Sequence, residues 1–247
     1  MNFLKILKFD FINILKTPML VIMNTIFPLV LFGGFGVVTK SKFGGSLISS
    51  YDFYGVATII ICGVMVAMTV TNTFMAENVK SGNIRVMYAP VSKAEIYLSK
   101  LISSYIFAVI FYSLSAIIEQ YVFGSNFGGE NIVYIIILVA ALTFLGCSIG
   151  TLACCVLKSE EKANAITPLL AVLFIFFGGI FAPLGHFGKV MKAATCLSPV
   201  KWVTECSFMI IYNNDFSLFK LTIAILLIAS IVCIGLCQIT FKLEDYV

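Results

Sequence analysis

The sequence predicts an all-α polytopic membrane protein, on three observations. The first is composition: 60% of its 247 residues are hydrophobic and 11% charged, with a mean hydropathy of +1.05. Charged residues make up about a quarter of an ordinary globular chain. The second is a set of six apolar runs, each near the roughly 20 residues that a bilayer demands. The third is the placement of lysine and arginine, which favours one side of those runs. A single domain, 1–247, is the simplest count. The net charge of +4 reflects scattered lysines and leaves no basic cluster for a phosphate backbone, so no nucleic acid is expected as a partner.

Residues 1–17 read as a helix lying in the inner membrane interface. Leu4, Leu7, Phe11, Ile14 and Leu15 share one face, and Lys5, Lys8, Asn13 and Lys16 the other. Ile6, Phe9 and Ile12 fall on the polar side of that pattern. The spans follow at 18–38, 53–75, 97–119, 132–157, 163–183 and 216–241. The first run is long and no small-residue cleavage site follows it, so it is expected to stay as a membrane helix.

An inside N-terminus puts Lys5, Lys8, Lys16, Lys80, Arg85, Lys93, Lys100, Lys158, Lys162 and Lys242 in the cytoplasm. Lys40, Lys42, Lys189, Lys192, Lys201 and Lys220 fall outside. Both termini and the polar segment 76–96 are then cytoplasmic, in a cell membrane crossed several times. A lysine-rich, arginine-poor, Ile/Phe-rich composition points to a bacterial plasma membrane. The outer segment 184–215 is too apolar for water and too broken for a span. Pro183, Gly185, Gly188 and Pro199 punctuate it, and Trp202 sits where aromatic side chains favour the interface. Short re-entrant helices in the outer leaflet are expected there, before the last span.

The segment 76–96 has its own punctuation. Ser81-Gly82 reads as a break, 83–88 as one short helical turn, and Ala89-Pro90 as a stop. Ser92 with Glu95 three residues on is a capping box that opens the next helix. Signals at both ends favour a short docking helix over a slack connector. Within the spans, Tyr105, Ala108, Tyr112, Ser115 and Glu119 follow helical spacing and share a stripe. That stripe either lines a pathway or makes helix contacts. Glu119, at its outer end, is placed at headgroup level more readily than in a buried site. Asn24, Thr69, Thr71, Asn72 and Thr73 either face a cavity or bond back to their own helices. Gly146 and Gly150 form GxxxG, expected to serve packing within the chain more than a dimer contact.

The absences are as informative. There is no Walker-type loop to cradle ATP, no nucleophile–base pair around the lone His186, and no metal-ligand cluster. Cys196 and Cys206 are expected as free thiols with packing roles. The middles of the spans lack the charged relays that ion-driven pumps use.

Two stretches carry a resemblance. Glu77, Gly82, Pro90, Val91, Ser92, Glu95, Ile96 and Lys100 match the cytoplasmic coupling loop of type-2 ABC exporter permeases, although the charged run before the glycine is thinner here. Gly178, Gly179, Phe181, Pro183, Ser198, Pro199 and Trp202 resemble the region before that family's last span. The resemblance implies a permease subunit that is not itself an enzyme. A separate ATP-binding subunit would supply ATP and Mg and dock on Glu77, Gly82, Arg85, Pro90, Ser92 and Glu95. A second permease chain, identical or homologous, would complete the pathway within membrane lipid. Asn24, Asn72, Tyr105, Tyr112, Ser115 and Glu119 are the candidate pathway residues. The cargo classes that fit are a hydrophobic drug, an antimicrobial peptide or a lipid-like molecule. A membrane scaffold that sequesters a toxin without transport, and a membrane-embedded enzyme, are the alternatives.

Overall fold

The structure is a computed structural model that describes residues 3–43, 49–76, 79, 82, 91–181 and 188–241. Every regular element among them is helical: α1 Phe3–Lys16, α2 Pro18–Val38, α3 Ser50–Met75, α4 Lys93–Tyr121, α5 Ile132–Leu157, α6 Glu160–Phe177, α7 Lys189–Cys196, α8 Pro199–Asn213 and α9 Phe219–Thr240, with single 3-10 turns at Lys40–Phe43 and Gly129–Asn131. Five of these, α2, α3, α4, α5 with its preceding turn, and α9, are long and apolar enough to cross a membrane. The fifth expected span overlaps α6, whose first turn carries Glu160, Glu161 and Lys162. The remainder, 163–177, is shorter than the roughly 20 residues of a full crossing.

The helices start and stop where side chains satisfy their ends. Thr17 separates α1 from α2, and Pro18 takes the first helical position, where its missing N–H costs nothing. Ser49 and Asp52 form a capping box on α3, and Ser92 and Glu95 form the expected one on α4. The last turn of α5 ends at Lys158, whose backbone is left-handed at φ 54°. The acidic first turn of α6 complements its helix dipole.

The core is organised around α3. Of its most apolar stretch 83% is buried, against 22% for α2 and for α9, so α3 is the central post and the other two are peripheral. Its closest neighbour is α5. A side chain on Gly146 would stand 2.6 Å from the Gly63 carbonyl oxygen, and one on Gly150 2.7 Å from the Ala67 carbonyl oxygen. The GxxxG stripe is therefore packed within the chain, as expected, and lets two backbones meet. Ser148 and Thr151 bond back to their own helix, so they add no unpaired polar group there.

The outer segment docks as a unit. The Ser198 hydroxyl donates to the Phe174 carbonyl at 2.6 Å, Val200 packs against Gly178, and Phe208 stacks on Phe53 at 5.2 Å. The indole N–H of Trp202 donates to the Cys196 carbonyl at 2.9 Å. Two short helices, α7 and α8, occupy the stretch where short outer helices were expected. Cys196 and Cys206 are both free. Cys206 packs in the core and burial raises its thiol pKa. Cys196 is exposed, which corrects the packing role expected of it.

These contacts predict a contrast between glycines. Gly150→Val should destabilise by about 1–3 kcal/mol through overpacking. Gly235→Ala, with nothing within 4 Å of the new carbon, should be neutral or slightly stabilising. Melting temperature in detergent, read by loss of helical circular dichroism, checks both.

Candidate functional site

The polar residues named from the sequence separate into two places. The first is where α3 ends and α4 begins. Ser92 N donates to Glu95 Oε2 at 2.7 Å, and Glu95 N returns a bond to Ser92 Oγ at 3.3 Å. Glu77, Arg85 and Pro90 lie outside the described residues, as does the whole of 83–90. Val79 and Gly82 are described and both are helical. Ser81, the other half of the expected break, lies outside the described residues, and a side chain on Gly82 would meet the Phe9 ring of α1 at 3.2 Å. Gly82 serves close approach.

Lys100, read from the sequence as a cytoplasmic lysine, is 2% exposed. Its ammonium donates to Asp10 Oδ1 at 3.2 Å and to the Thr73 carbonyl at 3.1 Å, and lies 5.8 Å from the centre of the Phe74 ring. Asp10 is likewise 2% exposed and accepts a second bond from Ser99 Oγ at 2.7 Å. The buried stripe of α1 is therefore Ile6, Asp10 and Ile14, not the stripe expected from Leu4 to Leu15. Leu4, Phe9, Ile12 and Leu15 are exposed. Asp10 was legible in principle, because apolar residues stand four before and four after it.

The second place is a cavity of about 280 Å³ between α2, α3, α4 and α6. Met19, Met23, Met65, Met68 and Phe27 line its apolar walls. Its polar patch is a bonded set. Asn24 Nδ2 donates to the Leu20 carbonyl at 2.8 Å and to Thr69 Oγ1 at 2.9 Å. Tyr112 Oη donates to Asn24 Oδ1 at 2.7 Å. Asn72 lines the same cavity while donating to its own helix at Met68. Leu20 and Asn72 also line a smaller crevice, about 30 Å³, bounded by Asn13, Thr17 and Val79. The cavity and this crevice, which Ala76 and Val79 also border, thus share Leu20 and Asn72. Thr71 and Thr73 bond back to their own helix.

The predicted α4 stripe does not hold together. Tyr112 reaches the cavity, but Tyr105 is half-buried against Phe144 of α5, with ring centres 5.3 Å apart. Ser115 is buried outside the cavity lining. Glu119 is fully buried within the protein. A side chain on Gly55 would meet both Phe127 and Glu119 Oε2. Neither Glu119 carboxyl oxygen has a hydrogen-bond partner among the described residues. The methionine lining was not legible as a site, because a methionine in an apolar run reads as core.

A family model described as "ABC-2 type transporter" matches residues 1–212. The linearmycin resistance permease protein LnrN of Bacillus subtilis (strain 168) is 25% identical over 130 residues, 53% of this chain. The matched stretch spans only 33% of that relative's length.

Tyr112→Phe should lower stability by about 0.5–1.5 kcal/mol, the net worth of one hydrogen bond. Tyr105→Phe, which keeps the ring contact with Phe144, should change little. Thermal melts of the two purified variants in one detergent decide this.

Proposed function

The chain belongs to the ABC-2 type transporter family, and we propose that it is the permease subunit of an ABC exporter driven by a separate ATP-binding chain. The observation that carries the proposal is that the Met-walled cavity and the smaller crevice beside it share Leu20 and Asn72, while Ala76 and Val79 of the segment 76–96 border that crevice. A movement of that segment then reaches the cavity through Leu20 and Asn72. The segment itself, with Glu77, Gly82, Arg85, Pro90, Ser92 and Glu95, is the docking surface for the ATP-binding subunit, which holds the ATP and Mg.

Six spans complete this reading, with α6 and the residues after it as the fifth. Both termini then lie in the cytoplasm, and α7 and α8 are re-entrant in the outer leaflet. A second permease chain covers the exposed apolar faces of α2 (Met19, Ile22, Ile26, Val30) and α6 (Leu169, Val172, Phe176). Lipid covers the rest.

No ionisable acid or base other than Cys62 and Tyr112 lines the cavity. Such a lining favours an uncharged, mostly apolar cargo over a cationic one, because a bare charge leaving water needs a partner. Four flexible thioethers adapt to varied shapes. A hydrophobic antimicrobial is the cargo class that fits both this lining and the resistance named in the relative.

The test uses inside-out membrane vesicles holding the chain with the ATP-binding protein that co-purifies with it. ATP should drive uptake of an uncharged lipophilic antimicrobial. Met65→Trp, which fills the cavity, should reduce uptake by about tenfold or more while the ATP-binding protein still co-purifies. Binding of the antimicrobial without any ATP dependence would instead support sequestration and refute export.

A further inference from the structure

We propose that residues 122–131, between α4 and α5, are a lid on the way from the Met-walled cavity to the outer face, with Phe127 as its plug and the Glu119 carboxyl beneath it as the group that disfavours closure. On the topology proposed above, this end of α4 is the outer one. The lid's role in transport rests on the permease reading; its presence does not.

The chain is exposed over 121–124 and again at Asn126, yet Phe127 is fully buried. A side chain on Gly55 of α3 would meet the Phe127 ring at 3.2 Å. The ring also borders a void of about 10 Å³, with Val56, Tyr112, Ala116 and Ile135 around it. That is about the room of one water. Tyr112 lines the Met-walled cavity as well. Tyr112, Ala116 and Glu119 follow helical spacing on one face of α4. The way outward from the cavity along that face therefore ends under Phe127. A glycine stands on each side of the plug, Gly124 at φ 71° and Gly128 at φ 86°. Other residues avoid those backbone angles, and here they let an exposed chain fold back and aim one ring at the core.

Two opposed effects act on the closed lid. Burial of the Phe127 ring favours closure. The lid's polar contacts add little. Asn126 N donates to Asp52 Oδ1 at 2.8 Å and Gln120 Nε2 to the Gly129 carbonyl at 3.2 Å, but both bonds are exposed and water can replace them. Against closure stand two stranded groups. Glu119 is fully buried and Ser125, on the lid itself, is 2% exposed. Neither the Glu119 carboxyl nor the Ser125 hydroxyl has a hydrogen-bond partner among the described residues. A carboxyl taken from water without a partner is disfavoured whether it carries a proton or a charge. Lifting Phe127 returns both groups to water. A segment built only for stability would cover an apolar side chain at 119. This one carries a ring that shuts it over polar groups that open it, and such opposition makes a two-state element.

The experiment uses the purified chain in detergent, with all native cysteines replaced and one placed at Ala116, which is buried beneath the plug. The readout is the rate at which a bulky hydrophilic maleimide labels it. Phe127→Ala should speed labelling about fivefold or more, and Glu119→Leu should slow it about threefold or more. Phe127→Leu, a smaller plug, should speed it about twofold, and is the deciding variant if Phe127→Ala loses its helical circular dichroism. Unchanged labelling in the Phe127 variants, or labelling in Glu119→Leu as fast as in the parent, would overturn the proposal. This assay needs no ATP-binding protein, so its failure leaves the permease reading standing. In the vesicle assay above, Glu119→Leu should lower ATP-driven uptake about threefold or more while the ATP-binding protein still co-purifies. Unaltered uptake would overturn the lid's place in transport. A parent chain without ATP-driven uptake would refute the permease reading instead and leave the labelling order as it is.

Discussion

Two opposite charges buried among apolar helices constrain everything at the inner end of this protein. Asp10 and Lys100 are each 2% exposed. Removing either partner alone would leave an uncompensated charge, at a cost of about 3–5 kcal/mol. With both present each charge has a second partner, Ser99 Oγ for the carboxylate and the Thr73 carbonyl for the ammonium. The consequence is directional. Helices α1, α3 and α4 must hold one mutual orientation for those bonds to form. The capping box of Ser92 and Glu95 then starts α4 at a fixed point.

Away from that frame the structure is governed by close packing on α3. Gly146 and Gly150 allow α5 to meet α3 backbone to backbone, and the aromatic contacts of Phe53, Tyr54 and Phe35 seal the outer end. Space remains on the opposite side of α3, where Asn24, Thr69 and Tyr112 bond one another and methionines form the walls. A tight side and a loose side on one central helix suit a permease. The tight side resists deformation, and the loose side can change volume when α2 or the inner frame moves.

Local chemistry made much of this legible in the sequence. The apolar runs placed five helices long and apolar enough to span and the helix α6, the Ser92/Glu95 spacing placed the start of α4, and the Gly146/Gly150 spacing indicated close packing within the chain without naming α3 as the partner. The resemblance around Glu77 to Lys100 and Gly178 to Trp202 agrees with the family to which the chain belongs. What escaped depends on partners far apart in the chain. Asp10 drew no reading from the sequence, because its partner Lys100 is 90 positions away. Lys100 read only as a cytoplasmic lysine at the start of a span, because nothing local to it shows that a carboxylate from α1 buries it. Glu119 sat where a span end and an interface read alike, and only Gly55 and Phe127 folding over it decide its burial. Tyr105 and Tyr112 share a helical stripe, but α4 lies between two neighbours, so one turns to Phe144 and the other to Asn24.

The central claim is that an ATP-binding protein acts on the end of α4 that carries the capping box. Lys93 and Tyr121 mark the two ends of that one helix, and both are exposed. A photo-reactive amino acid at each position, in intact membranes, measures which end meets the ATP-binding protein. The account predicts a cross-linked adduct with that protein from position 93 and none from position 121. An adduct from position 121, or none from position 93 under conditions where the two proteins co-purify, would contradict it.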